Sequence, residues 1–583
     1  MAKKSLSLVK KSETILTKKT PPTKANDQIN TRVKKSSQDK ITKYIFVVGG
    51  VMSGVGKGVA ASSIAKILQA RGLKVTAIKI DPYVNVDAGT MNPTEHGECF
   101  VLKDGLETDQ DMGNYERFLD IDLLGTNYMT TGSVYQAVIA KERNLGYGGR
   151  NVQVVPDIPA EAIRRIKKAG AEASADVVLI EVGGTVGEYE NILFIEAIRM
   201  MKTEAPHNVV VVMLSYLPVP GHVGEMKTKP TQHAVRTLGA SGVFADIILA
   251  RAPVPLDNKR KDKISRFCNV LPENVISAPD VSSIYDIPLN FEKDHLSDRL
   301  CNLLSLSCNQ SSDLKSWKQF VSKSKNTKNT VRIAVVGKYF SSGDFVLADV
   351  YISVLEAIKY SSYKLGLKPE IVYLSANDFL DKKSLKELKQ YDGVLLPGGF
   401  GKTGVEGMIN VIKYARENKI PYFGICYGMQ LAVLEFARNV LNLKNASTEE
   451  IDPMAKDLVI GVMADQKTKI ASGDMGGSMR LGQYPTVITK GSIAHKSYKQ
   501  DTVLERHRHR YEVNPSYVME LEKAGMQFSG KSPDGRLMEI MELPTTVHPF
   551  FLGIQFHPEL QARPLTPHPL FTAFIKASYE TKK

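Results

Sequence analysis

Cysteine and tryptophan are scarce in this sequence. Its 583 residues include five cysteines and one tryptophan, and the cysteines, at positions 99, 268, 301, 308 and 426, show no paired spacing. This pattern does not predict a disulfide framework. It favours a reducing compartment and leaves room for one reactive thiol.

Long uncharged apolar runs are also missing, and the N-terminus lacks the apolar core of a secretory signal. We therefore expect no membrane partner and a cytoplasmic location. The composition, 43% hydrophobic and 24% charged, is that of an ordinary soluble protein. A chain of this length exceeds what one hydrophobic core can organise, so we expect two or more domains.

Acidic residues are scarce in the first forty residues. This stretch holds eleven basic side chains and three acidic ones, so it supplies more than half of the chain's net charge of +14. Rich in Ser, Thr and Lys and poor in aromatics, it cannot bury enough apolar surface to fold alone. We predict a disordered solubilising tail over 1–40; a transit peptide and a polyanion-binding arm are the alternatives, and the excess of lysine over arginine counts against the former.

Two blocks of β-branched runs predict an α/β fold with two doubly wound domains. Such runs, unbroken by charge, are typical of strands buried on both faces of a parallel sheet, and helical patterns lie between them. The runs are 43–50, 74–81, 176–184, 208–216 and 246–251 in the first block, and 331–339, 369–374, 391–401, 421–426 and 551–560 in the second. We place the domains at 41–308 and 331–583, joined by a polar linker, 309–330, with a short amphipathic helix around Trp317.

The stretch GGVMSGVGKG (49–58) predicts a phosphate-binding loop, because a strand, glycines and then a helix aim backbone N–H groups at an anion. Lys57 adds a positive charge. The usual Ser or Thr after this lysine is replaced by Gly58, so the hydroxyl that normally binds magnesium is missing. Carboxylates from elsewhere should replace it, and the candidates are Asp109, Asp111 and Glu181, the last at the end of a predicted buried strand.

A basic cluster follows in GEMKTKPTQHAVR (224–236). In an extended segment Lys227 and Lys229 point the same way, which suits a second polyphosphate beside Thr231 and Gln232. A solvated basic loop is the alternative interpretation of these residues alone.

GICYGMQ (424–430) has the form of a nucleophile elbow, with Cys426 between small residues after a predicted strand. The backbone N–H groups of Tyr427 and Gly399 are placed to bind an oxyanion. His557 and Glu559, after a late strand, supply the base and the carboxylate that orients it. We predict nucleophilic catalysis by this cysteine.

The stretch ERHRHRYE (505–512) offers two histidines that share one face of an extended segment. Three arginines crowd the same stretch and would repel a cation. We therefore expect a hydrogen-bonding or anion-contacting strand rather than a metal site.

Taken together, these segments resemble the CTP synthase family from about residue 42 to residue 578. The resemblance is carried by DPYVNVDAGTMNPTEHGE (81–98), KTKPTQH (227–233), PGGFG (397–401), GICYGMQ, ERHRHRYEVN and FHPE. It implies a synthase domain with a phosphate loop like that of dethiobiotin synthetase, joined to a class I glutamine amidotransferase domain. Glutamine is hydrolysed at the thiol, and ammonia travels internally to UTP phosphorylated at O4 by ATP, giving CTP.

The resemblance also assigns residues to ligands. It places Asp111 and Glu181 on Mg²⁺, and His96 at the ammonia entrance. ATP contacts are implied for Ser53, Gly54, Val55, Gly56, Lys57, Gly58, Lys79, Asp111, Arg251, Asp280 and Val281. UTP contacts are implied for Ser53, Glu188, Tyr189, Glu190, Lys227, Thr228, Lys229, Pro230, Thr231, Gln232 and Lys263, and glutamine contacts for Gly399, Tyr427, Gln430, Glu449 and Arg510. GTP as an allosteric activator, CTP as an inhibitor and a homotetramer are implied as well, with filament assembly left open.

Two alternatives remain at this point. A cobyrinic acid diamide synthetase-like amidotransferase has the same architecture but needs neither the lysine pair nor the segment 81–98. A filament-forming or nucleic-acid-binding protein with decayed catalysis would suit the basic tail, but intact Lys57, Glu181, Cys426, His557 and Glu559 argue against decay, so we expect no nucleic-acid partner.

Overall fold

A computed structural model describes residues 41–221, 224–309, 311–338, 341–342, 345–346, 348–463, 466 and 479–581. The predicted tail 1–40 therefore lies outside the described residues. Residues 42–583 make up one compact unit. Within the described ranges, every helix is too short or too polar to cross a bilayer.

The first α/β half is built on a parallel sheet. Its strands are β1 (Lys43–Gly50), β2 (Val75–Asp81), β5 (Tyr128–Thr130), β6 (Val177–Val182), β7 (Val209–Tyr216), β8 (Ile247–Ala252) and β9 (Val275–Pro279), with β3 (Phe100–Val101) and β4 (Glu107–Thr108) forming a separate antiparallel ribbon. The seven-stranded order is β5-β2-β6-β1-β7-β8-β9. The five strands predicted in this half are confirmed, and their continuous β-branched runs reflect burial on both faces.

Helices cover both faces of this sheet, as parallel connections require. They are α1 (Lys57–Ala70), α2 (Pro93–His96), α3 (Asp111–Leu119), α4 (Thr131–Arg143), α5 (Val154–Glu172), α6 (Ile192–Glu204), α7 (Lys229–Ala240), α8 (Asn258–Cys268), α9 (Ile287–Lys293) and α10 (Leu296–Leu303). Because β1 lies near the middle of the sheet, the loop that follows it opens at the carboxyl edge, where this fold class binds ligands.

The linker helix is α11 (Lys315–Lys325), and it confirms the predicted amphipathic segment. Trp317 is 1% exposed and donates its indole N–H to the Tyr285 carbonyl at 2.9 Å. Its ring packs on Phe118 with centroids 5.0 Å apart. The tryptophan therefore fixes the linker to the first half.

The second half has a mixed sheet. Its strands are β10 (Asn329–Gly337), β11 (Ser341–Ser342), β12 (Phe345–Val346), β13 (Leu367–Ser375), β14 (Gly393–Leu396), β15 (Tyr422–Ile425), β16 (Ala446–Thr448), β17 (Asp457–Val462), β18 (Arg480–Ile488), β19 (Thr502–His509), β20 (Tyr511–Val513), β21 (Gln527–Lys531), β22 (Met538–Glu542) and β23 (Phe551–Ile554). The nine-stranded order is β13-β10-β14-β15-β23-β22-β21-β18-β19. It is parallel from β13 to β23 and antiparallel beyond. Residue 339, at the end of a predicted strand, lies outside the described residues.

The helices of the second half are α12 (Ile352–Lys364), α13 (Lys382–Lys386), α14 (Val405–Glu417), α15 (Tyr427–Asn439), α16 (Ile493–Tyr498), α17 (Pro515–Lys523) and α18 (Pro569–Thr581). The predicted α/β class is correct for both halves. A single apolar cluster joins Ile64 of the first half, Trp317 of the linker and Phe571 of the second. The two halves are thus held against each other by a shared core.

The cysteine prediction needs one correction, because Cys301 and Cys308 form a disulfide bond at the end of α10. The six residues between them include an apolar turn that brings the two ends together, a local geometry that the spacing alone does not reveal. Cys99, Cys268 and Cys426 are free thiols.

Candidate active sites

Cys426 lies at a sharp turn between β15 and α15. Its backbone has φ 49° and ψ −97°, a conformation that costs a non-glycine residue roughly 1–3 kcal/mol and that clusters at functional sites. The flanking glycines are needed sterically, since a Cβ at Gly428 would lie 2.5 Å from the Leu396 carbonyl oxygen. The Cys426 amide donates to the Ile554 carbonyl at 2.6 Å, which ties the turn to β23. The predicted nucleophile elbow is present.

His557 and Glu559 follow β23 and face this thiol. The imidazole Nδ1 lies 2.7 Å from Glu559 Oε1, and the His557 amide donates to the Arg506 carbonyl at 2.7 Å. Burial lowers the pKa of His557, but the charges of Glu559 and Cys426 outweigh burial and raise that pKa to about 10. The imidazole therefore holds a proton at neutral pH, as a partner for a thiolate and a donor for a leaving amine.

A cavity of about 550 Å³ lies over the thiol and reaches both halves of the molecule. The second half contributes Gly398, Gly399, Cys426, Gln430, Glu450, Arg510, His557 and Glu559 to its lining, and the first half contributes Gly89, Thr90, Pro93, Glu98 and Cys99. A small molecule released at the thiol therefore emerges against the wall formed by the first half.

Three of the five predicted glutamine contacts, Gly399, Gln430 and Arg510, line this cavity. Tyr427 and Glu449 do not: the Tyr427 hydroxyl donates to the Gly401 carbonyl at 2.7 Å, and the Glu449 carboxylate accepts the Val462 amide at 2.7 Å.

The carboxylate in the cavity is that of Glu450, which accepts the Gly401 amide at 2.7 Å. Burial raises its pKa, against the opposing effects of the Gly401 amide and the charges of Lys338 and Arg510. Sequence reasoning missed Glu450, although its position directly after Glu449 was the available signal.

The role predicted for His96 at the ammonia entrance stays a prediction. His96 is half exposed at the end of α2, its ring 5.8 Å from Tyr83, and it does not line the cavity. Glu98 lines it instead, and its carboxylate accepts the Ser353 amide at 3.2 Å across the two halves. Burial raises the pKa of Glu98 to about 7.

The phosphate loop joins β1 to α1. Gly54 and Gly56 have φ 69° and 89°, a region that glycine enters without strain. Lys57 is the first residue of α1, and its Nζ donates to the Gly184 carbonyl at 2.8 Å. Ser53 is exposed at the rim of the loop, whereas Val55 is buried beneath it. The loop therefore presents an N-terminus and one lysine to solvent.

Arg251 is hydrogen-bonded to the backbone of this loop. It donates to the Val55 carbonyl at 2.5 Å and pairs with Asp280 at 3.1 Å, with Val281 next in the chain. The structure thus brings these predicted ATP contacts to the loop.

Behind the loop, Lys79 lies among four carboxylates. Its Nζ is 2.9 Å from Glu181 Oε1 and 3.7 Å from Asp81 Oδ1, and it also pairs with Asp111. Burial lowers the pKa of Lys79, but these carboxylates outweigh it and hold that pKa well above the usual value. Burial raises the pKa of Asp109 well above its usual range, and the charges of the neighbouring carboxylates add to this effect. Asp109 therefore keeps its proton more readily than a free aspartate, which reduces the negative charge that Lys79 has to neutralise.

Asp111 fills the space of the missing loop hydroxyl. A Cβ built on Gly58 would overlap the Asp111 carboxylate, so the glycine at this position and the acid require each other. Among the described residues no group of three His, Cys, Asp or Glu side chains forms a ready-made metal site. Two carboxylates fit Mg²⁺, which commonly takes one or two protein oxygens plus substrate phosphates and water.

The basic cluster is not extended as predicted. Thr228 is the N-cap and Lys229 the first residue of α7, because Pro230 is suited to the first helical turn. The Thr231 hydroxyl is buried and lies 2.8 Å from the Ser215 hydroxyl. The Gln232 side-chain amide donates to the Thr228 hydroxyl at 3.1 Å. These two side chains therefore support the helix start.

The lysines of this cluster remain accessible. Lys227 pairs with Glu225 at 2.7 Å and lowers its pKa, with a smaller effect from the charge of Lys263. The Lys229 Nζ lies 5.5 Å from the centroid of the Phe267 ring. A helix N-terminus with accessible lysines can bind an anion, so polyphosphate binding stays a prediction for this cluster although its backbone is helical rather than extended.

The predicted uridine contacts lie in the loop after β6. Glu188 folds back to accept the Thr185 amide at 2.8 Å. Tyr189 is 91% exposed, and Glu190 is exposed too. Because Gly184 of this loop accepts from Lys57, the loop lies directly beside the phosphate site.

The histidines of ERHRHRYE lie in β19 and are hydrogen-bonded to each other, His507 Nδ1 to His509 Nε2 at 3.0 Å. His509 Nδ1 lies 2.9 Å from the Tyr511 carbonyl. Since a carbonyl only accepts, that nitrogen carries the proton and His509 Nε2 accepts from His507. The arginines of the same strand reach the first half of the chain.

Two family models match this chain. Residues 43–306 match the family described as CTP synthase N-terminus, and residues 346–577 match glutamine amidotransferase class-I. The fold and the two sites thus define a class: a nucleotide-dependent synthase domain joined to a class I glutamine amidotransferase domain.

The particular family follows from full-length relatives. A CTP synthase of Bacillus licheniformis is 46% identical over 544 residues, covering 93% of this chain and 100% of the relative. A CTP synthase of Methanopyrus kandleri is 47% identical over 540 residues, covering 92% and 99%. The solved glutaminase domain of Trypanosoma brucei CTPS with bound acivicin is 38% identical, covers 43% of this chain and 94% of that chain, and has a TM-score of 0.40. The chain belongs to the CTP synthase family of glutamine-hydrolysing C–N ligases.

Proposed function

We propose that this chain makes CTP from UTP, with ATP as the phosphoryl donor and glutamine or free ammonia as the nitrogen source. The observation that carries the proposal is the shared cavity. It is lined by Cys426, His557 and Glu559 on one side, and the first half contributes Gly89, Thr90, Pro93, Glu98 and Cys99 on the other. We assign 41–308 to the synthase domain and 331–583 to the glutaminase domain, with 309–330 as the linker.

In the glutaminase step, Cys426 Sγ attacks the carboxamide carbon of glutamine. The backbone N–H groups of Tyr427 and Gly399 stabilise the oxyanion. Protonated His557 gives its proton to the leaving nitrogen, so neutral ammonia departs and a thioester remains. His557, held by Glu559, then takes a proton from water as the hydroxide attacks the thioester carbon. The carbon–sulfur bond breaks, glutamate leaves with its carboxyl proton passing to solvent, and the Cys426 sulfur is restored as the anion beside protonated His557.

Glutamine itself is held by Gly399, Gln430 and Arg510 in this scheme. Glu450 is the carboxylate available for the substrate's α-ammonium group, in place of Glu449. We keep Tyr427 as a backbone contact, because its side chain is already bonded to Gly401.

In the synthase step, the γ-phosphoryl group of ATP is transferred to O4 of UTP, and ammonia then attacks C4 and expels phosphate. Lys57 and the N-terminus of α1 stabilise the charge on the transferred group. Bound Mg²⁺ neutralises phosphate charge, and Asp111 and Glu181 are the residues that would hold it. Between turnovers, the Lys79 ammonium pairs with both carboxylates and holds them close to each other.

We place the UTP triphosphate on Lys227 and Lys229 at the start of α7 and on Lys263 of α8. The pyrimidine is placed beside 188–190. ATP lies on 53–58, with Arg251, Asp280 and Val281 next to its nucleoside. Activation by GTP at the domain junction, inhibition by CTP, a homotetramer and a cytoplasmic location remain predictions supported by family resemblance.

The test is CTP formation by the purified chain with UTP, ATP, Mg²⁺ and either glutamine or ammonium, read by absorbance. We expect product with both nitrogen sources. A corrinoid diacid, the substrate class of the alternative amidotransferase, serves as the comparison. Amidation of the corrinoid with no CTP formed would contradict the proposal.

A further inference from the structure

Strand β19 connects the thiol site to the acid cluster through two arginines. Arg506 and Arg508 are two residues apart, so both side chains leave the strand on the same side. Each side chain ends on a carboxylate of the synthase half, and each backbone carbonyl faces the thiol site. One short strand therefore touches the thiol site and the segment 107–116, which carries Asp109 and Asp111 of the acid cluster.

The glutaminase contacts are made by the backbone. The Arg506 carbonyl accepts the amide of His557 at 2.7 Å, and the Arg508 carbonyl lies 3.8 Å from Cys426 Sγ. Displacement of this strand would move the imidazole and the thiol relative to each other. The geometry on which the thiol chemistry depends is thus set by the position of β19.

The synthase contacts are made by the side chains. Arg506 is 0% exposed and binds Glu116 in a forked pair at 2.9 and 3.1 Å. Arg563 joins the same carboxylate at 2.5 Å. Arg508 pairs with Glu107 at 2.9 Å. Buried Arg–carboxylate forks are directional and resist displacement.

These carboxylates belong to the elements that carry the acid cluster. Glu116 lies on α3, the helix that begins at Asp111, and helical rise places it about 7.5 Å further along the axis. Glu107 lies in β4, just before Asp109 and Asp111. A shift of this segment upon nucleotide binding would be transmitted to both arginines.

We propose that Arg506 and Arg508 are positioning residues for the thiol site, and that the Glu116 and Glu107 pairs make the rate of glutamine hydrolysis depend on occupancy of the acid cluster. This inference rests on the proposed function of both sites. Neither Glu107 nor Glu116 lines the cavity over the thiol, so their substitution acts through the alignment of His557 with Cys426.

The experiment measures glutamate release by the full-length chain without nucleotides and with ATP, UTP and Mg²⁺, and compares the ratio between variants. We expect nucleotides to accelerate the wild-type enzyme. Glu116→Gln and Glu107→Gln should each lower that acceleration at least about fivefold, while ammonia-dependent CTP formation stays within about twofold of wild type.

Glu435→Gln is the matched control. Glu435 is buried and makes a forked pair with Arg416 at 2.7 and 2.9 Å, on the helix that follows Cys426, but it lies within the glutaminase half. In this variant, the ratio of glutamate release with nucleotides to release without them should equal that of the wild type. Two buried arginines, Arg506 and Arg563, depend on the Glu116 carboxylate, so Glu116→Gln is at risk of not folding. In that case Glu107→Gln decides alone, because its partner Arg508 is partly exposed and the pair is less important for folding.

The inference is overturned by an unchanged ratio in folded Glu107→Gln, by equal loss of the ammonia reaction, or by a wild-type enzyme that nucleotides do not accelerate. In each case wild-type CTP formation from glutamine would still support the proposed function. Absence of CTP with either nitrogen source would instead refute the function itself.

Discussion

The thiol site and the phosphate site are organised in opposite ways. Around Cys426 the reacting groups are buried, close together and already bonded to one another: the His557–Glu559 contact is 2.7 Å. Around Lys57 the loop is open at its rim, and behind it the acids are held by a lysine. The first site is prepared before its substrate arrives, whereas the second is completed by the charges of its ligands.

This difference has a physical origin. A thiol must be aligned with its base within a few tenths of an ångström, which buried strand ends provide. A triphosphate with Mg²⁺ brings its own charge, so a site that receives it needs complementary charge more than fixed side chains. The internal pairs of Lys79 reduce the net negative charge of the acid cluster.

The largest expected effect separates the two sites completely. Cys426→Ala should lower glutamine-dependent CTP formation at least about 10⁴-fold, because the nucleophile is removed. CTP formation from ammonium should be retained, because the phosphate site is untouched. Steady-state rates with the two nitrogen sources test this, and equal loss with both would show that the sites are not separable.

The next effect concerns the alignment within the thiol site. Glu559→Gln should slow glutamine use roughly 10³-fold, since the imidazole loses its orienting carboxylate. The same change removes a charge that raises the pKa of His557, which is about 10 in the intact site. The protonated form is lost as pH rises through that pKa, so the alkaline limb of the glutamine pH profile should shift to lower pH. An unshifted limb would mean that the carboxylate does not tune this histidine.

A smaller effect tests the exchange of a hydroxyl for a carboxylate at the phosphate site. Gly58→Ser restores the usual loop hydroxyl but displaces Asp111, with which a side chain at 58 overlaps. We expect the Mg²⁺ concentration for half-maximal synthesis to rise about 10- to 100-fold, with glutamine hydrolysis in the absence of nucleotides unchanged. Unaltered Mg²⁺ dependence would contradict the role given to Asp111.

The smallest effect is expected from deletion of residues 1–40. Their composition predicts no packed structure, so turnover with either nitrogen source should stay close to that of the full chain. A large fall in turnover in the shortened protein would assign the tail a part in one of the two sites.

Local patterns in the sequence predicted much of this molecule. The buried parallel strands, the phosphate loop and the cysteine elbow each depend on fewer than about ten consecutive residues, and the structure contains all three. Family resemblance supplied Arg251 and Asp280, which the structure brings to the loop.

Contacts between distant segments were not predictable in this way. The Arg506–Glu116 pair joins positions 390 residues apart, and no local pattern marks it. His96 and Glu449 lie outside the lining of the cavity, whereas Glu98 and Glu450 line it. Small differences in backbone direction decide which of several neighbouring side chains enters it. The helix start at Lys229 was missed although Pro230 was a signal for it.

The most direct measurement of the central claim follows the nitrogen atom. CTP is made from glutamine labelled with ¹⁵N in the amide, in the presence of excess unlabelled ammonium at a pH where ammonium is mostly protonated, and its isotope content is read by mass spectrometry. Internal transfer predicts CTP enriched in ¹⁵N far above the isotope content of the ammonium in solution. CTP whose isotope content equals that of the solution would show that ammonia leaves the protein before it reacts.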